Sequence, residues 1–423
     1  MNKPAFGLIG IGGFAREHYN TLRYFESEGW LRLAAVCDPF IGEQPELERE
    51  VRAGGVRIYH DHRAMLESEA GLRAVVVATP ILLHEEMLLD CLGSGLFIYL
   101  EKPPVPLASQ LQRLIEADRR GQVSVGFQMV DSDWNQQIKS WIAEGRLGEI
   151  REIRVVANWP RYDGYYRRAS WAGQLVQGDR PVFDGPATNA LAHLIHSAMY
   201  FGGAEKAEFA RPVTVQGEMY RVRPIPSYDL MCLRAGLPSG ATVFAALSHA
   251  QQTPAPYRVE VIGSEGWCSV SEEHKILESS FGAFTLREMP SGMLHDGYVS
   301  FCQWLRGQRE RPTTRLADAE GYVWTTNALL ASSGGIHTVD PRWYRTCEDA
   351  PGRIYDVHGL SEALADGRPL LYSERELPWS VEPTVVPVEN TAEWRGRMDR
   401  TFQVVTGGGQ AKEGAAAEFV TAG

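Results

Sequence analysis

Short apolar runs alternate with amphipathic stretches along the first third of the chain. Between the runs, residues 84–92 and 107–119 place apolar side chains at helical spacing, and a short strand at 54–59 and a short helix at 62–68 fit the same alternation. Repeated strand–helix units of this length predict a parallel, doubly wound α/β sheet. The apolar runs are four to six residues long, as in strands buried on both faces of a sheet, and occupy 6–9, 33–37, 74–79, 96–100 and 123–127.

The pattern changes after residue 130. Helical spacing predicts helices at 133–144, 300–306 and 317–332. Because strands now follow one another without helices between them, this part of the chain predicts an α+β domain. Alternation or β-rich composition marks its strands at 151–157, 214–221, 229–234, 241–248 and 258–262.

Composition divides the remainder of the chain. Trp343, Trp379 and Trp394 make residues 336–400 too aromatic for a disordered tail, so we expect an extension packed on the core. Small residues dominate the last stretch, which predicts a flexible tail. We therefore divide the chain into a first domain at 1–125, a second at 126–335, the extension at 336–400 and the tail at 401–423.

Overall composition is that of an ordinary globular protein, with 44% hydrophobic and 22% charged residues in 423. The net charge of −11 argues against nucleic acid as a main partner. No apolar run is long enough to predict a transmembrane helix, and the N-terminus lacks the apolar length of a secretory signal. We expect a cytoplasmic protein with no membrane partner.

The cysteines give no sign of a metal site or a disulfide framework. The six of them are far apart and form no CxxC pair. Free thiols in a reducing compartment are the simpler interpretation, and we predict no bound metal.

A glycine-rich turn directly follows the first predicted strand. Gly10, Gly12 and Ala15 form a GxGxxA pattern, with Gly13 and Phe14 inside it. In such turns the first glycine allows the tight bend, the second lets backbone approach a pyrophosphate, and the small third residue lets the helix pack closely. All five residues are candidate contacts of a dinucleotide.

Asp38 ends the second predicted strand, 23 residues after Ala15. A carboxylate at about this spacing binds both ribose hydroxyls and repels a 2′-phosphate, which favours NAD over NADP. The alternative is that Asp38 only opens a turn with Pro39. Thr79 and Lys102 also follow strands, and ligands of parallel sheets lie beyond the carboxyl ends of the strands, so we expect these residues in one crevice.

Three motifs together resemble the Gfo/Idh/MocA family, which includes glucose–fructose oxidoreductase and inositol dehydrogenase. They are the turn at 10–15, Ala78-Thr79-Pro80 followed by His84, and Glu101-Lys102-Pro103. The resemblance covers roughly residues 5–335. It implies a Rossmann domain followed by a domain with a large, mostly antiparallel sheet, whose open face commonly makes homodimers or homotetramers. It also implies cofactor contacts by Thr79, Pro80, His84, Glu101 and Lys102.

Hydride transfer from an alcohol needs a base for the hydroxyl proton. By resemblance, Lys102 is the family lysine that contacts the reacting hydroxyl. Beside a nicotinamide cation and partly removed from water, its pKa would fall, which suits proton transfer near neutrality. The alternative is an ordinary surface lysine.

Asn189 and His193 are four residues apart, so a helix would place them on one face. Family dehydrogenases often have Asp and His at this spacing, with His as the general acid or base. Asn189 departs from that pattern, and an amide cannot stabilise an imidazolium as a carboxylate does. More of the proton transfer would then fall to Lys102. His196 is interpreted as structural, and Asp184 as a further residue directed into the pocket.

The loop at 158–173 is unusually rich in aromatic residues and arginine. Aromatic faces stack on sugar rings, and arginine binds hydroxyls or a carboxylate, so Tyr165, Tyr166, Arg168 and Trp171 are candidate substrate contacts. Packing at a domain or subunit interface explains the composition equally well. His249 is interpreted as a structural residue.

The leading hypothesis is an NAD-dependent dehydrogenase of a sugar, glycoside or polyol. One alternative is a glycosidase or lyase that uses NAD transiently through a keto-sugar, with no net redox change. The other is a non-catalytic protein that binds NAD or a sugar, although Lys102 and His193 argue against it.

Overall fold

The first domain is built on a six-stranded parallel sheet in the order β3-β2-β1-β4-β5-β6. The computed structural model describes residues 3–407, apart from 272, 274–275, 288–289, 291 and 350–351. The strands are β1 Ala5–Ile9, β2 Arg32–Cys37, β3 Arg57–Tyr59, β4 Ala74–Val77, β5 Phe97–Glu101 and β6 Val123–Gly126. The helices are α1 Ala15–Ser27, α2 Pro45–Ala53, α3 His62–Ser68, α4 His84–Gly93 and α5 Ala108–Ala117. The doubly wound sheet is confirmed.

Helix α2 is the one element of this domain that the sequence pattern missed among the described residues. It begins with Pro45, whose fixed backbone suits the first helical position, and it buries only Leu47 and Val51. Two apolar positions in nine residues are too few to stand out as a helical stripe.

The second domain is built on a ten-stranded, mostly antiparallel sheet. Its main order is β16-β15-β14-β13-β7-β12-β11-β10-β17, with β20 also paired to β10. Strands β7 and β12 run parallel, as do β10 and β17. The strands of this sheet are β7 Ile150–Asn158, β10 Thr214–Arg221, β11 Leu230–Gly236, β12 Thr242–Ser248, β13 Ala255–Gly263, β14 Trp267–Ser271, β15 Ile276–Ser279, β16 Gly282–Thr285, β17 His337–Thr338 and β20 Val386–Pro387. Two separate two-stranded sheets pair β8 Val176–Gln177 with β9 Arg180–Pro181, and β18 Tyr344–Asp349 with β19 Gly352–Val357.

Most helices of this part of the chain cover the inner face of the sheet or join it to the first domain, whereas the short helix at 360–365 lies on the outer face. They are α6 Asp133–Ala143, α7 Asp163–Tyr166, α8 Ala192–Gly202, α9 His295–Leu305, α10 Glu320–Ser332, α11 Leu360–Ala365 and α12 Ala392–Val405. The helix expected at 300–306 thus begins earlier, at His295. The helix expected at 317–332 begins at Glu320, after a 3₁₀ turn at Leu316–Ala319.

Helix α9 follows the second sheet in sequence but packs on the first domain. Its Tyr298 stacks on Tyr99 of β5, with ring centroids 5.0 Å apart, and its Phe301 packs edge-on against Phe6 of β1. These side chains share one buried cluster. A domain boundary between residues 125 and 126 would therefore separate the first domain from α9, which completes its core. It would also remove the last residue, Gly126, from β6.

The extension packs against the outer face of the second sheet. Val339, Tyr355, Leu360, Tyr372 and Trp379 form a buried cluster with outward-facing side chains of β10, β11 and β12. These residues of the extension are therefore buried against the sheet. The face that we expected to be open for oligomerisation is, over these strands, covered by this chain itself, so a homodimer or homotetramer remains a prediction that needs another surface.

Helix α12 closes the described part of the chain. Phe402 packs on Phe183 with centroids 5.6 Å apart, Trp394 lies against Trp324 of α10, and the Ser109 hydroxyl of α5 donates to Asp399 at 2.9 Å. The helix runs to Val405, so the expected tail at 401–423 begins as helix. Its residues from 408 onward lie outside the described residues.

Three findings concern membrane spans, metals and cysteines. None of the described helices combines the length and hydropathy required to cross a bilayer. Within the described ranges no group of three or more His, Cys, Asp or Glu is placed to hold a metal. All six cysteines are free thiols.

Candidate active site

The glycine-rich turn joins β1 to α1 at the carboxyl edge of the first sheet. Gly10 has a φ of +88°, and a Cβ there would lie 2.5 Å from the Ala78 carbonyl oxygen, so the fold itself requires glycine. At Gly12 the nearest atom to such a Cβ is Gln44 Nε2, at 3.6 Å. Because the fold leaves room there, the close approach of a ligand is the better reason for glycine at 12.

Asp38 is held against this turn. The Ile11 N–H donates to Asp38 Oδ2 at 3.0 Å, and the Phe40 N–H donates to Oδ1 at 2.8 Å. Asp38 therefore caps its own turn and also lies against the glycine-rich turn, and its contact with a ribose stays a prediction. Gly13 and Phe14 lie on the exposed side of the turn, and Ala15 begins α1.

His84 ties two of the predicted cofactor loops together from behind. Its Nε2 lies 2.8 Å from the Thr79 carbonyl oxygen, and its Nδ1 lies 3.0 Å from the Pro103 carbonyl oxygen. Burial lowers the pKa of His84. Since both ring nitrogens face backbone, His84 positions the loops that carry Thr79, Pro80 and Lys102 rather than offering a nitrogen to a ligand.

Glu101 is likewise engaged within the protein. Its Oε1 lies 3.0 Å from His18 Nε2, and its Oε2 accepts from the Lys102 N–H at 3.1 Å. Burial would raise the pKa of Glu101, but the hydrogen bond to His18 and the charge of Lys102 hold it below the usual value. Glu101 thus acts as a buried anion that anchors the backbone of Lys102.

Lys102 reaches across to the second domain. Its Nζ donates to the Asn189 carbonyl oxygen at 2.9 Å. Removal of the ammonium from bulk water lowers the pKa of Lys102, although the carboxylates of Glu101 and Asp184 act in the opposite direction. The lysine is therefore not an ordinary surface residue, and a proton can leave it more readily than from a lysine in water.

The four-residue spacing predicted that Asn189 and His193 lie on one α-helix, but they do not. Residues 186–190 form a π-helical turn, Leu191 departs from helical geometry, and α8 begins only at Ala192. A φ of +54° at Phe183 leads the chain into this turn. Such backbone geometry is concentrated at functional sites, where surrounding packing maintains it.

Asp184 is the centre of the hydrogen bonds around this turn. Its Oδ1 accepts from Asn189 Nδ2 at 2.7 Å, and its Oδ2 accepts from the Gly173 N–H at 2.7 Å. Burial raises the pKa of Asp184, while Gly173, Arg168 and Asn189 act to lower it. A buried carboxylate is thus held against the side chain of Asn189.

The two histidines of this segment have different surroundings. His196 is stacked between Phe127 and Phe209, with centroid distances of 3.9 Å and 4.9 Å, which matches its structural interpretation. His193 has a buried Nδ1 with no hydrogen-bond partner among the described residues. Burial lowers the pKa of His193 well below its ordinary value, and Lys102 adds to the effect, so the imidazole is neutral.

The aromatic loop stacks its arginines on its rings. The Arg168 guanidinium lies 3.7 Å from the centroid of the Tyr165 ring and 4.7 Å from that of Trp171. It also lies 3.9 Å from Asp184 Oδ2, which links the loop to the cluster around Lys102. Tyr166 turns inward instead, with its hydroxyl 3.1 Å from His249 Nδ1, so packing explains this member of the loop better than substrate contact.

Arg223 is a part of the site that the sequence did not reveal. It is buried, pairs with Asp229 at 3.0 Å and donates to the carbonyl oxygens of Arg161 and His249. The Tyr355 ring of the extension lies 4.8 Å from its guanidinium. No local pattern marks Arg223, because its partners come from four separate segments of the chain.

Two family models match this chain. Residues 5–128 match the model of the oxidoreductase family with an NAD-binding Rossmann fold, and residues 135–269 match the GFO/IDH/MocA C-terminal domain. The chain belongs to the Gfo/Idh/MocA family of oxidoreductases. Its first domain is an NAD-binding Rossmann domain, and both predicted domain folds are confirmed.

Curated relatives match over part of their length. The chain is 35% identical to inositol 2-dehydrogenase from Streptomyces avermitilis over 147 residues, which are 33% of this chain and 40% of that protein. It is 32% identical to inositol 2-dehydrogenase 2 from Saccharopolyspora erythraea over 153 residues, covering 36% and 44%. The chain thus spans less than half of the length of these relatives.

Solved structures match over most of the fold at low identity. Levoglucosan dehydrogenase in a complex with NADH has a TM-score of 0.66 at 18% identity, covering 78% of this chain and 97% of that one. The WlbA dehydrogenase from Bordetella pertussis, in a complex with NADH and UDP-GlcNAcA, has a TM-score of 0.64 at 20% identity, covering 78% and 97%. These likenesses concern the fold.

Proposed function

We propose that this protein is an NAD-dependent dehydrogenase that acts on a hydroxyl-bearing carbon of a sugar, glycoside or polyol. The observation that carries the proposal is the contact between Lys102, at the carboxyl edge of the NAD-binding sheet, and the Asp184–Asn189 turn of the second domain. It brings a lysine of lowered pKa, a carboxylate and a neutral histidine to one place. The dehydrogenase names of the curated relatives support the same class of reaction.

The residues at the glycine-rich turn fit the cofactor. Gly10 closes the turn against Ala78, the space beside Gly12 admits a phosphate, and Asp38 is fixed beside the turn, where a ribose would lie. When bound, NAD accepts the hydride in oxidation and supplies it in reduction. The Asp38 carboxylate favours NAD over NADP because it repels a 2′-phosphate.

The proton is handled by this chain's own residues. Once it has lost its own proton, Lys102 Nζ takes the hydroxyl proton as the hydride leaves the carbon, and it returns the proton in the reverse direction. The Asn189 carbonyl oxygen fixes the position of Nζ, and Asp184 fixes Asn189. The neutral imidazole of His193 is half-buried near Lys102, and we assign it a hydrogen bond to a substrate hydroxyl.

The proposal is tested by following nicotinamide absorbance while the protein and NAD are mixed with inositols, neutral sugars, glycosides and sugar acids. Reduction of NAD by one of these classes, absent in Lys102→Ala, is the expected result. Cleavage of a glycoside without added NAD would instead establish the redox-neutral enzyme. NADH binding without either reaction would establish a binding protein.

A further inference from the structure

Two arginines lie against one aromatic ring beside the proposed catalytic residues. The guanidinium of Arg161 lies 4.8 Å from the Tyr165 centroid and that of Arg168 lies 3.7 Å from it. Two positive charges around one ring repel one another, and a bound anion offsets that repulsion. Stacking also leaves the N–H edges of a guanidinium free to bind an anion in the plane of the group.

Neither arginine is neutralised by an acidic partner of its own. Arg168 has only Asp184 at 3.9 Å, and that carboxylate already accepts hydrogen bonds from Gly173 and Asn189. Arg161 forms no ion pair with a carboxylate among the described residues, and its buried Nε has no acceptor there.

The nearby Arg223 differs from these two arginines because it has carboxylate partners. It pairs with Asp229 at 3.0 Å, and Asp163 lies 3.6 Å away. By contrast, Arg168 has the carboxylate of Asp184 only at 3.9 Å, and Arg161 has no carboxylate partner among the described residues. This local excess of positive charge occurs in a chain whose net charge is −11.

His249, which lies against the same tyrosine, has a ring nitrogen without a hydrogen-bond partner among the described residues. It is 1% exposed, its Nδ1 is paired with the Tyr166 hydroxyl, and its Nε2 has no partner among the described residues. Its ring lies edge-on to Tyr165 at 5.8 Å. A buried polar nitrogen without a partner is costly, so a ligand group that completes it stabilises the site.

We infer that the substrate is a sugar or polyol that carries a carboxylate, and that Arg161 and Arg168 bind this carboxylate. The inference rests on the proposed function and specifies its substrate class. A carboxylate fits the geometry because it is planar, accepts from two guanidinium edges and brings one negative charge to a site with excess positive charge. The Arg168 side chain is 29% exposed, so a ligand can reach it.

The test compares matched substrates that differ only at one carbon. D-glucuronate is compared with D-glucose, and D-galacturonate with D-galactose, with D-glucose 6-phosphate as the anion that is not a carboxylate. Two quantities are measured: kcat/KM with NAD, and the Kd of each compound for the NADH complex by NADH fluorescence. In at least one pair the acid should exceed the neutral sugar by about tenfold or more in either quantity.

Variants assign the effect to the two arginines. Arg161→Met and Arg168→Met should each reduce the preference for the acid by about tenfold, while the value for the neutral sugar changes much less. Arg161→Lys should restore part of it. Arg167→Met is the matched control, because Arg167 is exposed in the same loop and lies outside the cluster; it should leave the preference unchanged.

The outcomes separate this inference from the proposed function. Oxidation of neutral sugars with no preference for the acid in any pair overturns the inference and leaves the dehydrogenase intact. Preference for glucose 6-phosphate, or a preference that survives both Met variants, also overturns it. If no compound reduces NAD, the dehydrogenase proposal fails, and the fluorescence titration still decides whether the two arginines bind a carboxylate.

Discussion

The two halves of the candidate site are built in different ways. The cofactor half is made mainly of backbone from short segments that follow strands of one parallel sheet, such as the turn from Gly10 to Ala15. The substrate half joins side chains from distant segments, with Lys102, Arg168, Asp184 and Arg223 contributed by different parts of the chain. Local sequence therefore specifies the first half, whereas only the fold assembles the second.

The largest expected effect is the loss of turnover in a Lys102 variant, which should affect catalysis but not cofactor binding. Lys102→Ala should reduce turnover by about 10²- to 10⁴-fold, because the proton acceptor is lost, while NADH binding changes little. Steady-state kinetics and NADH fluorescence measure the two effects. Lys206→Ala, at an exposed lysine away from the site, is the control. Turnover that survives Lys102→Ala would contradict the catalytic assignment.

Acid should lower the free energy of unfolding because His196, in the second domain, is buried in its neutral form. Burial lowers the pKa of His196 from 6.5 to about 3. A folded pKa below the unfolded value means that the stability contribution is fully present above pH 6.5 and is lost as pH falls from 6.5 towards 3. At pH 5 this loss is about 2 kcal/mol of unfolding free energy.

The variant His196→Phe checks this, since phenylalanine can keep the stack between Phe127 and Phe209. Urea unfolding at pH 7.5 and pH 5 should show a smaller acid loss for the variant than for the native chain. Equal losses in both proteins would mean that His196 does not carry this pH dependence.

Arg223 gives a test confined to the substrate half. Arg223→Lys keeps the charge beside Asp229 but loses the fork that reaches the carbonyl oxygens of Arg161 and His249. The loop should lose its fixed position, so KM for the sugar should rise about tenfold with little change in kcat. NADH affinity should stay constant; a matching loss there would mean that the variant disturbs the whole fold.

The smallest expected effect concerns the cofactor half. Asp38→Ala should shift the preference from NAD towards NADP several-fold, because repulsion of the 2′-phosphate is removed. The ratio of kcat/KM for the two cofactors measures this shift. Asp38→Asn removes the negative charge but can still accept a hydrogen bond in the turn, so it distinguishes the effect of the charge from that of the turn. An unchanged ratio in both variants would leave Asp38 as a turn residue only.

The sequence predicted the parallel sheet, its order of elements and the family because those signals are periodic or local. It also named Lys102 and Asp184 as site candidates, and the structure brings both into contact with Asn189. It misplaced Asn189 on the helix of His193, because a π-helical turn has no simple sequence signature. It assigned His84 a contact with the cofactor, although its nitrogens serve two backbone loops. No sequence pattern pointed to Arg223, because its partners come from four distant segments that meet only in the folded protein.

The extension also determines how far the chain can be shortened without exposing apolar surface. A chain cut after residue 335 would keep both matched family domains but would lose Tyr355, Leu360, Tyr372 and Trp379 from the outer face of the second sheet. The bare apolar strands would then be open to any neighbouring molecule, and such surfaces drive aggregation. Soluble expression of the catalytic core therefore depends on residues that lie beyond both family models.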